Sequence, residues 1–264
     1  MRDQFRVLRQ AAISAFAELR AIYTWRTWTF TWLSRLLIQV VFFGLIGRML
    51  GGQAQVQYLL IGNAVAIATL ESSVAILAIH GERRSGTLSL MAAAPAGHLT
   101  VYLGRGVHYL SSGLVTATAA FLLLPPLFGL TLPWPRAALA LPVIVAIGAS
   151  SYCYAACLAA VVLGLPNLRW VVLNLSYLVP MSFCGVNVPR EYWPDWVQQI
   201  TAALPLTHGL QAIREVVGTG SSSMYVRDAV LEVCVGLGWL AVAALAFQAM
   251  VVRGRATGTI EFGA

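Results

Sequence analysis

Apolar runs about as long as a bilayer is thick dominate this chain. About 20 residues of helix cross the hydrocarbon core. Runs of that length recur at roughly residues 30–50, 57–79, 106–130, 137–164, 168–187 and 228–251. Only 10% of the 264 residues are charged and 59% are hydrophobic, against about a quarter charged in a soluble domain. Too little polar surface remains to cover a globule in water. Backbone polar groups in lipid must be satisfied within the spanning structure. The expectation is therefore an all-α integral membrane protein with six transmembrane helices. Pro125, Pro126, Pro142 and Pro180 fall inside the runs and mark kinks or ends.

The formal charge is +7, and all 17 basic residues are arginine. A Walker A loop places a lysine on the β/γ-phosphates, so the lysine-free chain cannot supply one. The Gly218–Ser223 run GTGSSS reads as a loop, not a nucleotide cradle. Nor does the basic excess point to nucleic acid, because its placement follows membrane topology. With the N-terminus inside, eleven arginines fall on the inner side and five on the outer. That bias places both termini in the cytoplasm. Cys153, Cys157, Cys184 and Cys234 lie in or beside apolar runs and read as small core residues. No metal-ligand spacing links them to His80, His98, His108 or His208. The charged N-terminus lacks the compact apolar stretch of a cleavable leader.

Residues 1–27 read as an interfacial helix. Phe5, Leu8, Ala12, Phe16 and Leu19 recur at steps of three and four, which makes one stripe. Arginines and Glu18 occupy much of the remainder, the pattern of a helix lying in the membrane surface. Trp25, Trp28 and Trp32 follow, where an aromatic belt belongs.

Two polar segments interrupt the apolar pattern. Residues 80–105 contain GERRSGTLSLMAAAPAGHLTVYLGR, in which Ser85 to Ala93 can form a short helix ended by Pro95. Leu88, Met91 and Ala92 make a small apolar patch on it, able to seat in a groove on another protein. Residues 188–227 carry two half-length amphipathic stripes. Trp193, Trp196, Ile200 and Leu204 form the first, and Leu206, Leu210, Ile213 and Val217 the second, with Pro205 between them. Each is about 15 Å long as helix, which suggests a re-entrant hairpin or a pair lying at the outer surface.

The run ERRSGTLSLMAAAP, Glu82 to Pro95, resembles the cytoplasmic segment of ABC-2 type transporter permeases, especially the drug-resistance exporter branch. NVPREYWPDWVQQITAALPLTHGLQAIREV resembles the outer segment of that family. The order and spacing of these motifs, with the N-terminal helix and six spans, extend the likeness to nearly the whole chain. The resemblance implies one ABC-2 type transmembrane domain over 1–264. Its parts are an interfacial elbow helix at 1–27, spans one to five within 30–187, an outer re-entrant segment at 188–227, a sixth span at 228–252 and a cytoplasmic tail at 253–264. It implies a non-catalytic permease of a multidrug-resistance type exporter in the cell membrane. That permease binds no cofactor itself, pairs with a second copy amid membrane lipids, and is driven by a cytoplasmic ABC ATPase subunit carrying the ATP. On this pattern Glu82, Arg83, Arg84, Thr87, Leu88 and Met91 form the ATPase-coupling helix. Trp193, Trp196, Pro205, His208 and Arg214 form the outer gate. Ser89 stands where many relatives carry a second acidic residue. The implied substrate is a hydrophobic or amphiphilic drug, natural product or lipid; a lipid-linked glycan or polysaccharide is the alternative.

Inside the spans, Glu71 is the acidic residue expected at depth. Arg35 and Glu71 lie at depths that differ by about 5 Å, so an ion pair tying the first two spans together is expected. Proton or substrate handling by Glu71 is the alternative, and it would suit an ion-coupled secondary carrier. Asn63, Gln39, Asn174 and Gln248 are expected to hydrogen-bond between helices. Gly47 and Gly51 match a GxxxG pattern. Tyr152, Tyr154, Tyr177 and Phe183 either line a pathway or pack.

Overall fold

A computed structural model describes residues 2–78, 98–218 and 220–257. Among the described residues the chain is helical throughout its regular structure. Five helices are long and apolar enough to cross a membrane: Trp25–Met49, Gln53–Leu77, Val107–Leu127, Arg136–Gly164 and Ser222–Met250. The run expected at 168–187 forms the 15-residue helix Arg169–Phe183, about 22 Å long. Pro180 removes a backbone donor near its end, and Gly185 turns the chain with φ 90°. The helix stops there instead of continuing to 187.

Helix α1 (Arg2–Ile22) packs on the short helix α4 (His98–Arg105). The approach is close: a Cβ at Gly104 would lie 2.8 Å from the Leu8 carbonyl oxygen. Arg105 secures the contact, donating to Ser14 Oγ at 2.8 Å and pairing with Glu18 at 2.9 Å. Ala15 is buried, whereas Phe5, Ile13 and Phe16 are exposed. The expected stripe is therefore split. Small residues face the protein and the large rings face away from it.

The first span starts at a capping box. Thr24 and Thr27 exchange side-chain and backbone hydrogen bonds around the turn Trp25–Thr27. A π-helical stretch, Trp28–Leu33, leads into α2 (Ser34–Met49). Next comes α3 (Gln53–Val74), buried along nearly its whole length between α2, α5 (Val107–Leu127) and α6 (Ala140–Gly164). It is the centre of the bundle, and Leu60, Ala64, Ala68, Phe121, Ile144 and Ile147 belong to the core around it. Gly47 fits within the chain: a Cβ there would lie 2.7 Å from Val56 Cα. Half of the GxxxG pattern is thus used by the hairpin between the first two spans.

Pro142 falls in the first turn of α6, where a missing N–H has no intrahelical partner to lose. Helix α7 (Arg169–Phe183) leads to two short helices, α8 (Asp195–Ala202) and α9 (Thr207–Val217). The long α10 (Ser222–Thr257) packs mainly along α6 and α9. It begins six residues before the expected span at 228.

Candidate functional sites at the two ends of the bundle

The coupling residues Glu82, Arg83, Arg84, Thr87, Leu88 and Met91 lie outside the described residues. Two other sites are fully described. One lies at the α1 end of the bundle and the other towards the opposite end.

At the α1 end, the π-helical stretch brings Trp28 and Trp32 to one wall. Such wide turns interrupt α-helices often at functional positions. Trp32 donates its indole N–H to Glu71 Oε1, and Trp28 donates to Ser112 Oγ at 3.2 Å. Ser112 lines the same cavity as Glu71. Glu71 is 1% exposed, and α5 reaches it closely. A Cβ at Gly113 would sit 2.7 Å from Glu71 Cβ. These groups line a cavity of about 270 Å³, with Tyr23 and Tyr109 on its walls and Glu18 and Arg105 also lining it.

The expected Arg35–Glu71 ion pair does not form. Arg35 lies over the Trp32 ring, 4.9 Å from its centroid, and is exposed. Trp32 takes the carboxylate with its N–H edge and the guanidinium with its face. The indole is long enough to satisfy Glu71 from the π-helical stretch, while Arg35 stays at the protein surface. Among the described residues the ion pair present is Arg105–Glu18.

Towards the other end, α8 and α9 meet at a turn held by the last helix. Glu232 is 0% exposed. Its carboxylate accepts the backbone N–H of Leu206 at 3.0 Å and of Gly209 at 2.9 Å, and it also accepts from the Ser150 hydroxyl. A helix N-terminus leaves such donors unsatisfied, and a carboxylate also suits its dipole. Leu206 has φ 81°, a strained geometry for a residue with a Cβ. The turn gains a further tie from Trp239, whose Nε1 donates to Ala203 O at 2.8 Å.

The expected gate residues divide around this turn. Pro205 is buried in it. His208 Nε2 lies 3.0 Å from Ala202 O and bridges α9 to α8. Arg214 sits over the Tyr58 ring at 3.6 Å and approaches Val186 O at 3.4 Å. His208 and Arg214 also line a cavity of about 560 Å³ with Tyr58, Arg190 and Arg227. Trp193 lies before α8, against Phe183 at 4.8 Å. Trp196 and Ile200 are exposed, and the buried face of α8 is Val197 and Thr201. The expected first stripe is thus divided: Trp196 and Ile200 face away from the protein, while Trp193 and Leu204 are half-buried. In α9 the expected stripe is buried: Leu206, Leu210, Ile213 and Val217 all face the core.

The other intramembrane polar residues mostly serve packing. Asn63 donates to Asn187 Oδ1 at 2.9 Å, in the bend after α7, so it ties α3 to a loop instead of a second helix. Asn174 instead bonds Trp170 O in its own helix. Tyr152 donates to Leu103 O at 2.8 Å, and Tyr154 packs on Trp239. The four cysteines are free. Among the described residues no group of three or more His, Cys, Asp or Glu converges to hold a metal ion.

Sequence reasoning missed Glu232. The signal was available as an acidic residue within the apolar run AVLEVCVGLGWL. The second omission is the role of Trp28 and Trp32, read as belt residues and found donating to buried oxygens.

A bundle with five helices long and apolar enough to cross a membrane marks a multi-pass membrane protein. The chain belongs to the ABC-2 type transporter family, whose profile matches residues 13–217. It is accordingly a transmembrane permease component of an ABC transporter. No curated protein and no solved structure matches the chain.

Proposed function

We propose that this chain is the permease subunit of an ATP-driven exporter, working as a pair of copies with a separate ATPase subunit. The cargo is a hydrophobic or amphiphilic molecule taken from the cytoplasmic side of the cell membrane. The observation that carries the reading is the family match over residues 13–217. It runs from α1 through the polar segment between the second and third spans to the end of α9. Residues 1–264 contain no lysine and so no P-loop, which supports hydrolysis on a separate subunit. Residues Glu82 to Ala94 dock on it, with Leu88 and Met91 as the apolar contact.

In this reading α1 is the elbow helix in the cytoplasmic interface, with Phe5, Ile13 and Phe16 towards lipid. Both termini are cytoplasmic. Arg169–Phe183 completes a set of six spans. Its exposed Trp170, Val171, Leu175 and Leu178 suit lipid or the second copy. Helices α8 and α9 are re-entrant. Support comes from the depth of their turn, tied to Glu232 and Trp239 at about 15 and 25 Å along α10 from Ser222. ATP-driven closure of the ATPase pair biases the permease between two access states.

Replacing both Leu88 and Met91 with Asp is expected to abolish ATPase stimulation and transport while leaving thermal unfolding of the spans unchanged. Transport by that double variant at the normal rate would refute the docking role.

A further inference from the structure

The geometry points to the Glu71 cavity as a binding site for an organic cation, with aromatic side chains as its walls and the carboxylate as its counter-charge. As a statement about the cargo, this rests on the export reading above; as a binding site, it stands without it.

A carboxylate inside a membrane protein needs a proton or a positive partner. The donor that Glu71 receives is neutral, the Trp32 indole. The neighbouring cations are held elsewhere. Arg35 lies on the Trp32 face and Arg105 is paired with Glu18 and bonded to Ser14. His108 directs Nδ1 to Arg105 O at 3.1 Å. The counter-ion position at Glu71 is therefore open to a ligand.

The walls suit the same ligand. Trp28, Trp32, Tyr23 and Tyr109 all line the cavity, and aromatic faces attract alkylammonium groups. Both tryptophans are fixed by their N–H bonds, so little ordering remains to oppose binding. At about 270 Å³, the cavity is at the small end of ligand sites. A monocyclic aromatic ammonium matches that size.

The test is isothermal titration of the purified full chain, without an ATPase, in maltoside micelles with benzyltrimethylammonium. Saturable binding is expected. Glu71→Gln should weaken it by about tenfold or more, the loss of one charge contact. Trp28→Leu should weaken it several-fold, and Trp28→Phe, which keeps the ring, should not. The anion benzenesulfonate should not bind. Absence of saturable binding, equal affinity in Glu71→Gln, or benzenesulfonate binding as tightly would each overturn the assignment. If Glu71→Gln does not fold, Trp28→Leu decides: unchanged affinity overturns it. Because no ATPase is present, failure here leaves the export reading intact, and failure to find an ATPase leaves this site intact.

Discussion

Glu71 and Glu232 are both carboxylates sealed inside the same bundle, at 1% and 0% exposure, yet they are built for different work. Glu232 is consumed. It receives two backbone N–H groups and a hydroxyl, and it fixes a strained turn between α8 and α9. Glu71 lines a cavity beside aromatic rings, with a neutral donor and no ion pair. Burial alone does not separate a structural acid from a functional one. What separates them is whether the partners come from the backbone and close the site, or from side chains around open space.

The largest effect expected from breaking this contrast is at Glu232. Replacing it with Ala strands two buried N–H groups at about 1–3 kcal/mol each, a destabilisation of about 2–6 kcal/mol. Thermal unfolding in detergent should register it, along with faster protease cleavage between α8 and α9. A variant as stable as the parent would show that the cap is dispensable.

An intermediate effect is expected at Gly113. A methyl group there must push on the Glu71 Cβ from 2.7 Å, at a cost of about 1–3 kcal/mol for overpacking. The change should also perturb tryptophan fluorescence, since Trp32 is bonded to the displaced carboxylate. Unaltered stability and fluorescence would mean the two helices separate easily at this level.

The smallest effect is at Arg35. Arg35 is exposed and rests on the half-buried Trp32 ring, so Arg35→Ala should cost about 0.5–1 kcal/mol. Loss of a true buried ion-pair partner would cost about 3–5 kcal/mol. A loss in that upper range would restore the direct Arg35–Glu71 pair and remove the contrast.

Much of the architecture was legible because lipid imposes simple rules. Span length and the stripe of α9 follow from apolar periodicity. The end of α7 was less legible, because the apolar run continues past the point where Pro180 and Gly185 stop the helix. The stripe of α8 misled for a related reason. Amphipathicity marks an apolar face but does not say whether protein or lipid covers it, and Trp196 and Ile200 face outward. The site was half legible. Glu71 stood out as an acid in an apolar run, but its expected partner Arg35 lies over the Trp32 ring instead. Depth carries no information about rotation, and the π-helical stretch turns Trp32, not Arg35, towards the carboxylate. Glu232 was hidden because capping is a tertiary act: its partners lie 23 and 26 positions back in the chain.

The most direct test of the permease account is affinity purification of the tagged chain from its native membrane in mild detergent, with mass spectrometry of the co-purifying proteins. The account predicts a P-loop ATPase in stoichiometric amount, lost when Leu88 and Met91 are replaced by Asp. Recovery of the folded chain without any ATPase, across several detergents, would contradict it.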